Sequence, residues 1–299
     1  MQLGRINTET GAEFAVREKD GEPWKRITDL GMDIARTADV ISRWSEIADA
    51  YNLADGGGET DVELLCPVVA PGKIIAIGLN YMDHIRETNS RVPELPVVFA
   101  KYTSTLNDPA GPILLDPYFT EELDYEAELA VVIGSTARRL TAENALDAVF
   151  GYAVANDVSA RDQQRQDSKL SWSKGFDTSC PLGPWITLAD SAGDPQKLRI
   201  SSSVNGEIRQ DSSTDQMLFT VVDLLVHLSA GTTLEPGDVI LTGTPHGVGM
   251  GRKPKAFLNN GDVVRCEIEG LGHVQNRVDA DPDSRPMATV VRQVVGSAS

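Results

Sequence analysis

The sequence has few of the residues that mark several common classes of protein. Its 299 residues include three cysteines and four histidines. Cys66, Cys180 and Cys266 are odd in number, far apart and without metal-ligand spacing, so neither a disulfide framework nor a zinc cluster is predicted. We interpret these cysteines as small buried apolar residues.

Positive charge is also scarce, and long apolar segments are missing. The chain carries 27 Lys and Arg residues against 44 Asp and Glu residues, a formal net charge of -17. This charge repels phosphate backbones and anionic lipids, so nucleic acid and membranes are not expected as partners. No apolar segment approaches the roughly 18 residues of a spanning helix, and no export signal precedes the first strand pattern, which predicts a soluble cytoplasmic protein. The surplus acid is either a solvated surface or, in part, a cation site.

The chain is long enough for one large domain, or for a large domain and a small one. Glycines and prolines at 56–58 and 67–72 predict a boundary between a small N-terminal domain, residues 1–70, and a larger domain, residues 71–299. Apolar residues at helical spacing predict helices at 35–51 and 217–228. Strands are predicted at 73–78, 97–101, 129–134, 151–155, 185–188, 238–241 and 262–268. Because strands and helices do not alternate, a doubly wound parallel sheet is disfavoured.

Two glutamates open one of the predicted strands, and an aspartate ends another. Glu126 and Glu128 are two residues apart, so their side chains point to the same face of a strand. Like charges facing inward repel unless a cation lies between them, and hard divalent cations prefer such oxygen ligands. Asp157 follows the apolar strand at 151–155. Alternatively, the glutamates form an exposed strand end and Asp157 caps a helix.

A histidine and a glutamate follow the predicted strand at 73–78. If the next residues form a helical turn, His84 and Glu87 lie at positions i and i+3 and can meet on one face. A carboxylate that orients an imidazole is the usual second member of a general-base pair. The alternative is a surface salt bridge.

A loop rich in glycine follows the strand at 238–241. Its backbone amides and the hydroxyls of Thr242 and Thr244 can cradle an anion. The glycine spacing fits neither a phosphate-binding loop nor a dinucleotide fingerprint. The alternative is an ordinary Gly/Pro loop.

Six blocks of sequence, in this order, resemble the fumarylacetoacetate hydrolase family. They are Gly-Leu-Asn-Tyr-x-x-His at 78–84, Asp-Tyr-Glu-x-Glu-Leu at 124–129, Asn-Asp-Val-Ser-Ala-Arg-Asp at 156–162, Lys-Gly-Phe-Asp-Thr-x-Cys-Pro-Leu-Gly-Pro at 174–184, Leu-Thr-Gly-Thr-Pro-x-Gly-Val-Gly at 241–249 and Gly-Asp-Val-Val at 261–264. The resemblance runs from about residue 71 to residue 278. Six blocks in series make a chance likeness very improbable.

The resemblance implies a β-rich α+β catalytic domain of layered, rolled mixed β-sheets, usually a homodimer, that binds Mg²⁺ or Mn²⁺. The implied metal ligands are Glu126, Glu128 and Asp157. The resemblance also implies that His84 and Glu87 form the general-base pair and that Lys174 supplies positive charge to a developing oxyanion. The implied substrate-binding residues are Tyr81, Arg161, Gln164 and Thr244. Without the resemblance, Lys174 and Arg161 would be interpreted as surface cations.

The implied substrate is a small 2-oxo or 2,4-dioxo acid. Our first hypothesis is a metal-dependent hydrolase that cleaves a carbon–carbon bond in 2,4-dioxo acids through a metal-stabilised enolate. The same enolate chemistry allows a second hypothesis, an oxaloacetate-type decarboxylase or an isomerase or hydratase of unsaturated 2-oxo acids in aromatic catabolism. A third is a cation-binding structural or regulatory protein without turnover, which the presence of His84, Glu87, Lys174 and Thr244 disfavours.

Overall fold

The computed structural model describes residues 1–54, 56–166 and 169–286, and most of the regular structure in these ranges is β-strand. The strands are β1 (Gln2–Thr8), β2 (Gly11–Arg17), β3 (Lys25–Arg26), β4 (Glu63–Leu65), β5 (Ile74–Gly78), β6 (Val97–Lys101), β7 (Leu106–Asn107), β8 (Ile113–Leu115), β9 (Leu123–Asp124), β10 (Ala127–Ile133), β11 (Val149–Asn156), β12 (Ser159–Ala160), β13 (Cys180–Leu188), β14 (Arg199–Val204), β15 (Glu207–Ser213), β16 (Val239–Leu241), β17 (Val263–Ile268) and β18 (Gly272–Ala280).

Helices in the same ranges are short. The α-helices are α1 (Thr37–Ser42), α2 (Trp44–Leu53), α3 (Met82–Glu87), α4 (Arg161–Gln164), α5 (Ala189–Ala192) and α6 (Val221–Gly231). Single turns of 3-10 helix lie at Thr103–Thr105, Ala145–Ala148, Thr214–Gln216 and Gly249–Gly251. None of the described helices is long and apolar enough to cross a bilayer.

Two mostly antiparallel sheets form the body of the protein. The larger sheet has the order β3-β2-β1-β13-β11-β10-β16-β5-β6, with β4 beside β1 and β7 beside β13. The smaller sheet has the order β15-β14-β17-β18-β8, and β9 pairs with β12. The pairs β5 with β16, β7 with β13 and β8 with β18 are parallel. This arrangement confirms the predicted β-rich α+β fold of mixed sheets.

Alternation along β10 divides its side chains between two apolar cores. Leu129 and Val131 pack in the core between the two sheets, which α6 also enters. Ala130 and Val132 face the second core, on the other side of the larger sheet, which α1 and α2 cover. Burial on both faces explains why this strand is an unbroken apolar run. Glu128 lies two residues before Ala130, so its side chain points to the same face of β10 as those of Ala130 and Val132.

The seven predicted strands correspond to β5, β6, β10, β11, β13, β16 and β17; β6 has the predicted bounds, and the bounds of the other six differ by one to five residues. β13 begins at Cys180, five residues before the prediction, because Cys180 and Pro181 pair with β7. Such a contact between distant segments leaves no signal in the local pattern. The strand-rich prediction is confirmed.

Both predicted helices have different bounds in the structure. The helix predicted at 35–51 is two helices that meet at Arg43, where the hydroxyl of Ser42 donates a hydrogen bond to the carbonyl of Asp39 (2.9 Å) and competes with the helical pattern. The helix predicted at 217–228 begins at Val221 instead. Thr220 and Asp223 form a capping box that fixes this start.

The first strands of the chain belong to the larger sheet, since β1 pairs with β13 through Leu3 and Ile186. The predicted boundary near residue 70 falls between β4 and β5, and the division into two domains stays a prediction. Residues 287–299 of the second predicted domain lie outside the described residues. The three cysteines are free and buried, as predicted. Burial raises the pKa of the Cys66 and Cys180 thiols to about 12, which keeps them protonated and unreactive.

Candidate active site

Three buried carboxylates meet where β10 begins and β11 ends. Each of Glu126, Glu128 and Asp157 offers a ligand atom, and these atoms lie within 4.8 Å of one another. The antiparallel pairing of β10 with β11 produces this cluster, because the amide of Asp157 donates to the carbonyl of Glu126 (2.9 Å). The alternative of an exposed strand end is wrong, since the glutamates are at most 5% exposed. The helix-cap alternative for Asp157 is also wrong, because α4 begins after Ala160 without a side-chain cap.

Two buried lysines compensate part of this negative charge. The Nζ of Lys174 lies 2.6 Å from Glu126 Oε2 and 2.7 Å from Asp157 Oδ2. The Nζ of Lys101 lies 2.7 Å from Asp157 Oδ1 and also donates to the carbonyl of Lys174. Lys174 is 3% exposed, which excludes a surface role for it.

Arg161 connects the carboxylate cluster to a fourth buried acid, Asp124. Its Nε lies 2.8 Å from Asp124 Oδ2, one terminal nitrogen lies 2.6 Å from Glu126 Oε1, and the other donates to Gln164 Oε1 (2.9 Å). Asp124 also accepts from the backbone amides of Gly249 (2.7 Å) and Met250 (3.0 Å). Asp124 therefore holds both Arg161 and the glycine-rich loop in place.

Replacing Asp124 is expected to destabilise the fold. In Asp124→Asn, the buried guanidinium of Arg161 loses one charge partner, and such losses cost about 3–5 kcal/mol. Urea unfolding in the presence of a chelator measures this change. Asp211→Asn is the matched control, because Asp211 pairs with Arg199 at 2.8 Å on the exposed surface. An equal change for the two variants would contradict the role of Asp124.

The pKa values of the site record the uneven distribution of charge. Burial raises the pKa of Glu126, but the neighbouring charges of Lys174 and Arg161 outweigh burial and lower it. Burial, together with the charges of Asp157 and Glu126, raises the pKa of Glu128 well above its usual value. Glu128 thus has the least compensated carboxylate in the cluster, with the backbone amide of Gly243 at 2.8 Å as its hydrogen-bond donor.

The predicted histidine–glutamate pair is present on α3. His84 Nδ1 lies 3.1 Å from Glu87 Oε2, and Glu87 Oε1 accepts from the amide of Gly247 (2.9 Å). His84 is 6% exposed, so the alternative of a surface salt bridge is wrong. Because Glu87 is tied to the glycine-rich loop, the imidazole has a fixed orientation.

The loop after β16 contributes Thr244, whose hydroxyl is already engaged. It donates to the carbonyl of Ala127 (2.9 Å) and accepts from Gln210 Nε2 (2.8 Å). The side chain of Thr242 donates to the carbonyl of Leu129 (2.9 Å). In this structure the two hydroxyls anchor the loop to β10, and the predicted contact of Thr244 with a substrate carboxylate stays a prediction.

A cavity of about 240 Å³ brings most of the predicted residues together. His84, Glu126, Glu128, Arg161, Gln164, Lys174 and Thr244 line it, with Thr88, Ser90 and Met250 at the same cavity. Tyr81 is not part of this lining and is fully buried behind it, where its hydroxyl has no hydrogen-bond partner among the described residues. Its predicted contact with substrate stays a prediction.

The buried acids fit a divalent cation. When all four buried carboxylates (Asp124, Glu126, Glu128 and Asp157) are ionised, they carry one more charge than the three buried cations (Lys101, Arg161 and Lys174), and a divalent cation would offset this excess. Asp157 Oδ1 is near Lys101 but makes no hydrogen bond of good geometry. An all-oxygen donor set of this kind suits Mg²⁺ or Mn²⁺.

Two charged residues of the candidate site, Lys101 and Asp124, are not assigned a role by the sequence. Lys101 shares the inward face of β6 with Phe99, and a lysine at an inward strand position was the available signal. Asp124 belongs to the sequence block at 124–129, but the resemblance implies no role for it. Neither interaction is visible in local spacing, because the partners lie far away in the chain.

Comparisons with known proteins show the family of the chain. Residues 73–279 match the family described as fumarylacetoacetate (FAA) hydrolase C-terminal. The chain belongs to the fumarylacetoacetate hydrolase family. Membership confirms the resemblance and identifies the protein as an enzyme of this family.

The chain is similar to the mitochondrial oxaloacetate tautomerase Fahd2a of Rattus norvegicus. The two are 49% identical over 221 residues, which cover 73% of this chain and 70% of that protein. Fumarylacetoacetate hydrolase from Exiguobacterium antarcticum has a similar structure, with a TM-score of 0.84, 41% identity, and coverage of 94% of this chain and 100% of that chain. Maleylpyruvate hydrolase from Sphingobium sp. SYK-6, solved with manganese(II) and pyruvate, is also similar. Its TM-score is 0.76 and its identity is 31%, with coverage of 94% of this chain and 99% of that chain.

Proposed function

We propose that this protein interconverts the enol and keto forms of a 2-oxo diacid of the oxaloacetate class. The observation that carries the proposal is that His84, oriented by Glu87, lines the same small cavity as Glu126, Glu128 and Arg161. The relative named oxaloacetate tautomerase supports this reaction more than the hydrolysis that the sequence analysis preferred.

The size of the cavity favours a short substrate. Its volume of about 240 Å³ lies below the roughly 300–1,000 Å³ of pockets that hold drug-sized ligands. A four-carbon diacid fits this volume, and Arg161 and Gln164 can hold its polar groups. Tautomerisation also needs no attacking water and no broken carbon–carbon bond.

His84 is the proposed proton carrier. The contact with Glu87 favours the imidazole tautomer that has its hydrogen on Nδ1, so Nε2 can accept a proton. In the keto-to-enol direction, Nε2 takes a proton from C3, the C–H electron pair forms the C2–C3 double bond, and the carbonyl pair moves to oxygen. The imidazolium then returns its proton to that oxygen, which yields the enol and regenerates neutral His84.

The surrounding cations stabilise the negative charge that develops at the 2-oxo group. Lys174 contributes a buried ammonium beside the acids, and Arg161 keeps two of its N–H groups uncommitted in the described residues. Mg²⁺ or Mn²⁺ held by Glu126, Glu128 and Asp157 would supply further positive charge there. Assembly as a homodimer, a cytoplasmic location and a part in aromatic catabolism stay predictions.

Hydrolysis of 2,4-dioxo acids is the second candidate, because the structural neighbour solved with manganese(II) and pyruvate is a maleylpyruvate hydrolase. The two reactions, and decarboxylation of oxaloacetate, use the same stabilised enolate. Hydrolysis also requires an attacking water, and decarboxylation requires a carboxylate that leaves as carbon dioxide, whereas tautomerisation requires neither.

The test is a comparison of three reactions with the purified protein and Mg²⁺ or Mn²⁺. We expect accelerated loss of the enol absorbance of oxaloacetate, above the spontaneous rate, with much slower formation of pyruvate from oxaloacetate or from an acylpyruvate. Heat-inactivated protein is the control for buffer catalysis. Fast pyruvate formation from an acylpyruvate, with no effect on the enol, would replace tautomerisation by hydrolysis.

A further inference from the structure

A second cavity adjoins the candidate active site. It has a volume of about 430 Å³ and shares Thr88 and Met250 with the active-site cavity. Glu87 also lines it, and the remaining wall is the basic segment at residues 251–255. The second cavity therefore lies beside the histidine–glutamate pair, at an opening of the active site.

Positive side chains dominate this opening. Arg252, Lys253 and Lys255 line it, and within the described part of the chain no ion pair involves Lys253 or Lys255. Arg252 is 31% exposed and has a loose contact of 3.6 Å with Glu207. The carboxylate of Glu87 is committed to His84 and Gly247. On a chain of net charge -17, this is a local reversal of sign.

The basic segment is held in a fixed position relative to the site. Asp124 binds the amides of Gly249 and Met250, directly before the segment. The amides of Arg252 (3.3 Å) and Ala256 (3.1 Å) both donate to the carbonyl of Gly249. Because the same aspartate holds Arg161, the basic opening and the guanidinium of the site share one anchor.

We propose that Arg252, Lys253 and Lys255 favour dianionic 2-oxo acids over monoanionic ones by attracting the dianion to the opening of the active site. This inference rests on the proposed function and specifies which substrates that site takes. An opening of one sign in an oppositely charged surface concentrates substrate of the complementary charge. The interaction is exposed, so it is weakened by salt.

The test compares two substrates that differ by one charge, the enol of oxaloacetate and the enol of its 4-methyl ester. Each exposed charge contact contributes about 0.2–1 kcal/mol, so Lys253→Gln/Lys255→Gln is expected to lower kcat/KM for oxaloacetate by about 2- to 30-fold. The loss for the ester is expected to be smaller, and the preference for the dianion should fall accordingly. Added NaCl should reduce kcat/KM for oxaloacetate more steeply in the parent than in the double variant.

Lys19→Gln/Lys197→Gln is the control for net charge, because it removes two positive charges from exposed positions that line neither cavity, and Lys197 pairs there with Asp194 at 2.8 Å. We expect it to retain the parent's preference for the dianion. Equal losses on both substrates, or equal effects of the two double variants, would overturn the inference while leaving the proposed function intact.

An inactive parent would instead reject the proposed function. In that case calorimetry with malonate and acetate still tests the opening. Weaker binding of malonate to the Lys253/Lys255 variant, with no change for the control variant, supports selection of dianions, and unchanged binding overturns it.

Discussion

His84→Asn is expected to lower kcat for enol–keto conversion of oxaloacetate by about 10²- to 10⁴-fold, the range that a positioned acid–base group contributes. The physical reason is the loss of Nε2, which carries the proton between C3 and the 2-oxo oxygen in the proposed reaction. Initial rates of enol loss, corrected for the spontaneous reaction, measure the effect. KM is expected to change much less, because asparagine retains a polar group in the cavity.

Three further variants separate proton transfer from support of the fold. Glu87→Gln keeps a hydrogen-bond acceptor next to His84 Nδ1 and removes the charge, so a smaller loss is expected. His227→Asn makes the same change as His84→Asn on α6, outside the active-site cavity, and should keep the parent rate. Partial recovery of His84→Ala by added imidazole is expected, since free imidazole can carry the proton. Activity of His84→Asn near the parent level would eliminate His84 as the proton carrier.

The acidic cluster could be predicted partly from local spacing and partly from the family resemblance, because spacing alone also allowed an exposed strand end and a helix cap. Two glutamates at alternate positions of one strand must share a face, and an aspartate that ends an adjacent antiparallel strand lies at the same edge. The pairing of β10 with β11 brings exactly these ends together in space. The turn that joins His84 to Glu87 was predictable for the same reason, since the two residues are three positions apart.

The cations could not be predicted in the same way. Lys101 reaches Asp157 across 56 residues of sequence, and Lys174 reaches Glu126 across 48, so their partners depend on the packing of whole strands. The resemblance supplied a place for Lys174 but not its contacts. The hydroxyl of Thr244 is another case, because its bonds to Ala127 and Gln210 follow from the position of the loop.

The reaction itself is the hardest feature to read from sequence. Hydrolysis, decarboxylation and tautomerisation share an enolate, the same acids and the same base. These reactions differ in the size of the substrate that the cavity must hold and in which molecule reaches the enolate. Cavity volume is a property of the folded chain, so the volume and the relative named oxaloacetate tautomerase, rather than the sequence motifs, lead us to prefer tautomerisation.

Glu128→Gln is expected to change stability in opposite directions with and without a divalent cation. Without metal, the variant should be at least as stable as the parent, because burial and the neighbouring Asp157 and Glu126 oppose a charge at this position. The hydrogen bond from the amide of Gly243 can persist, since glutamine retains a carbonyl oxygen. Thermal and urea unfolding in the presence of a chelator measure this first part.

With Mn²⁺ at about 100 times the parent's Kd, the parent should gain about 2.7 kcal/mol of unfolding free energy. Loss of outer contacts to a metal weakens binding by about 10- to 100-fold, so loss of a direct ligand should cost at least 100-fold. The gain in the variant then shrinks to about 0.4 kcal/mol. Glu143→Gln, an exposed position, should match the parent under both conditions. If Mn²⁺ stabilises the Glu128→Gln variant as strongly as the parent, Glu128 is not a metal ligand. If the variant loses much stability without metal, the carboxylate of Glu128 supports the fold instead.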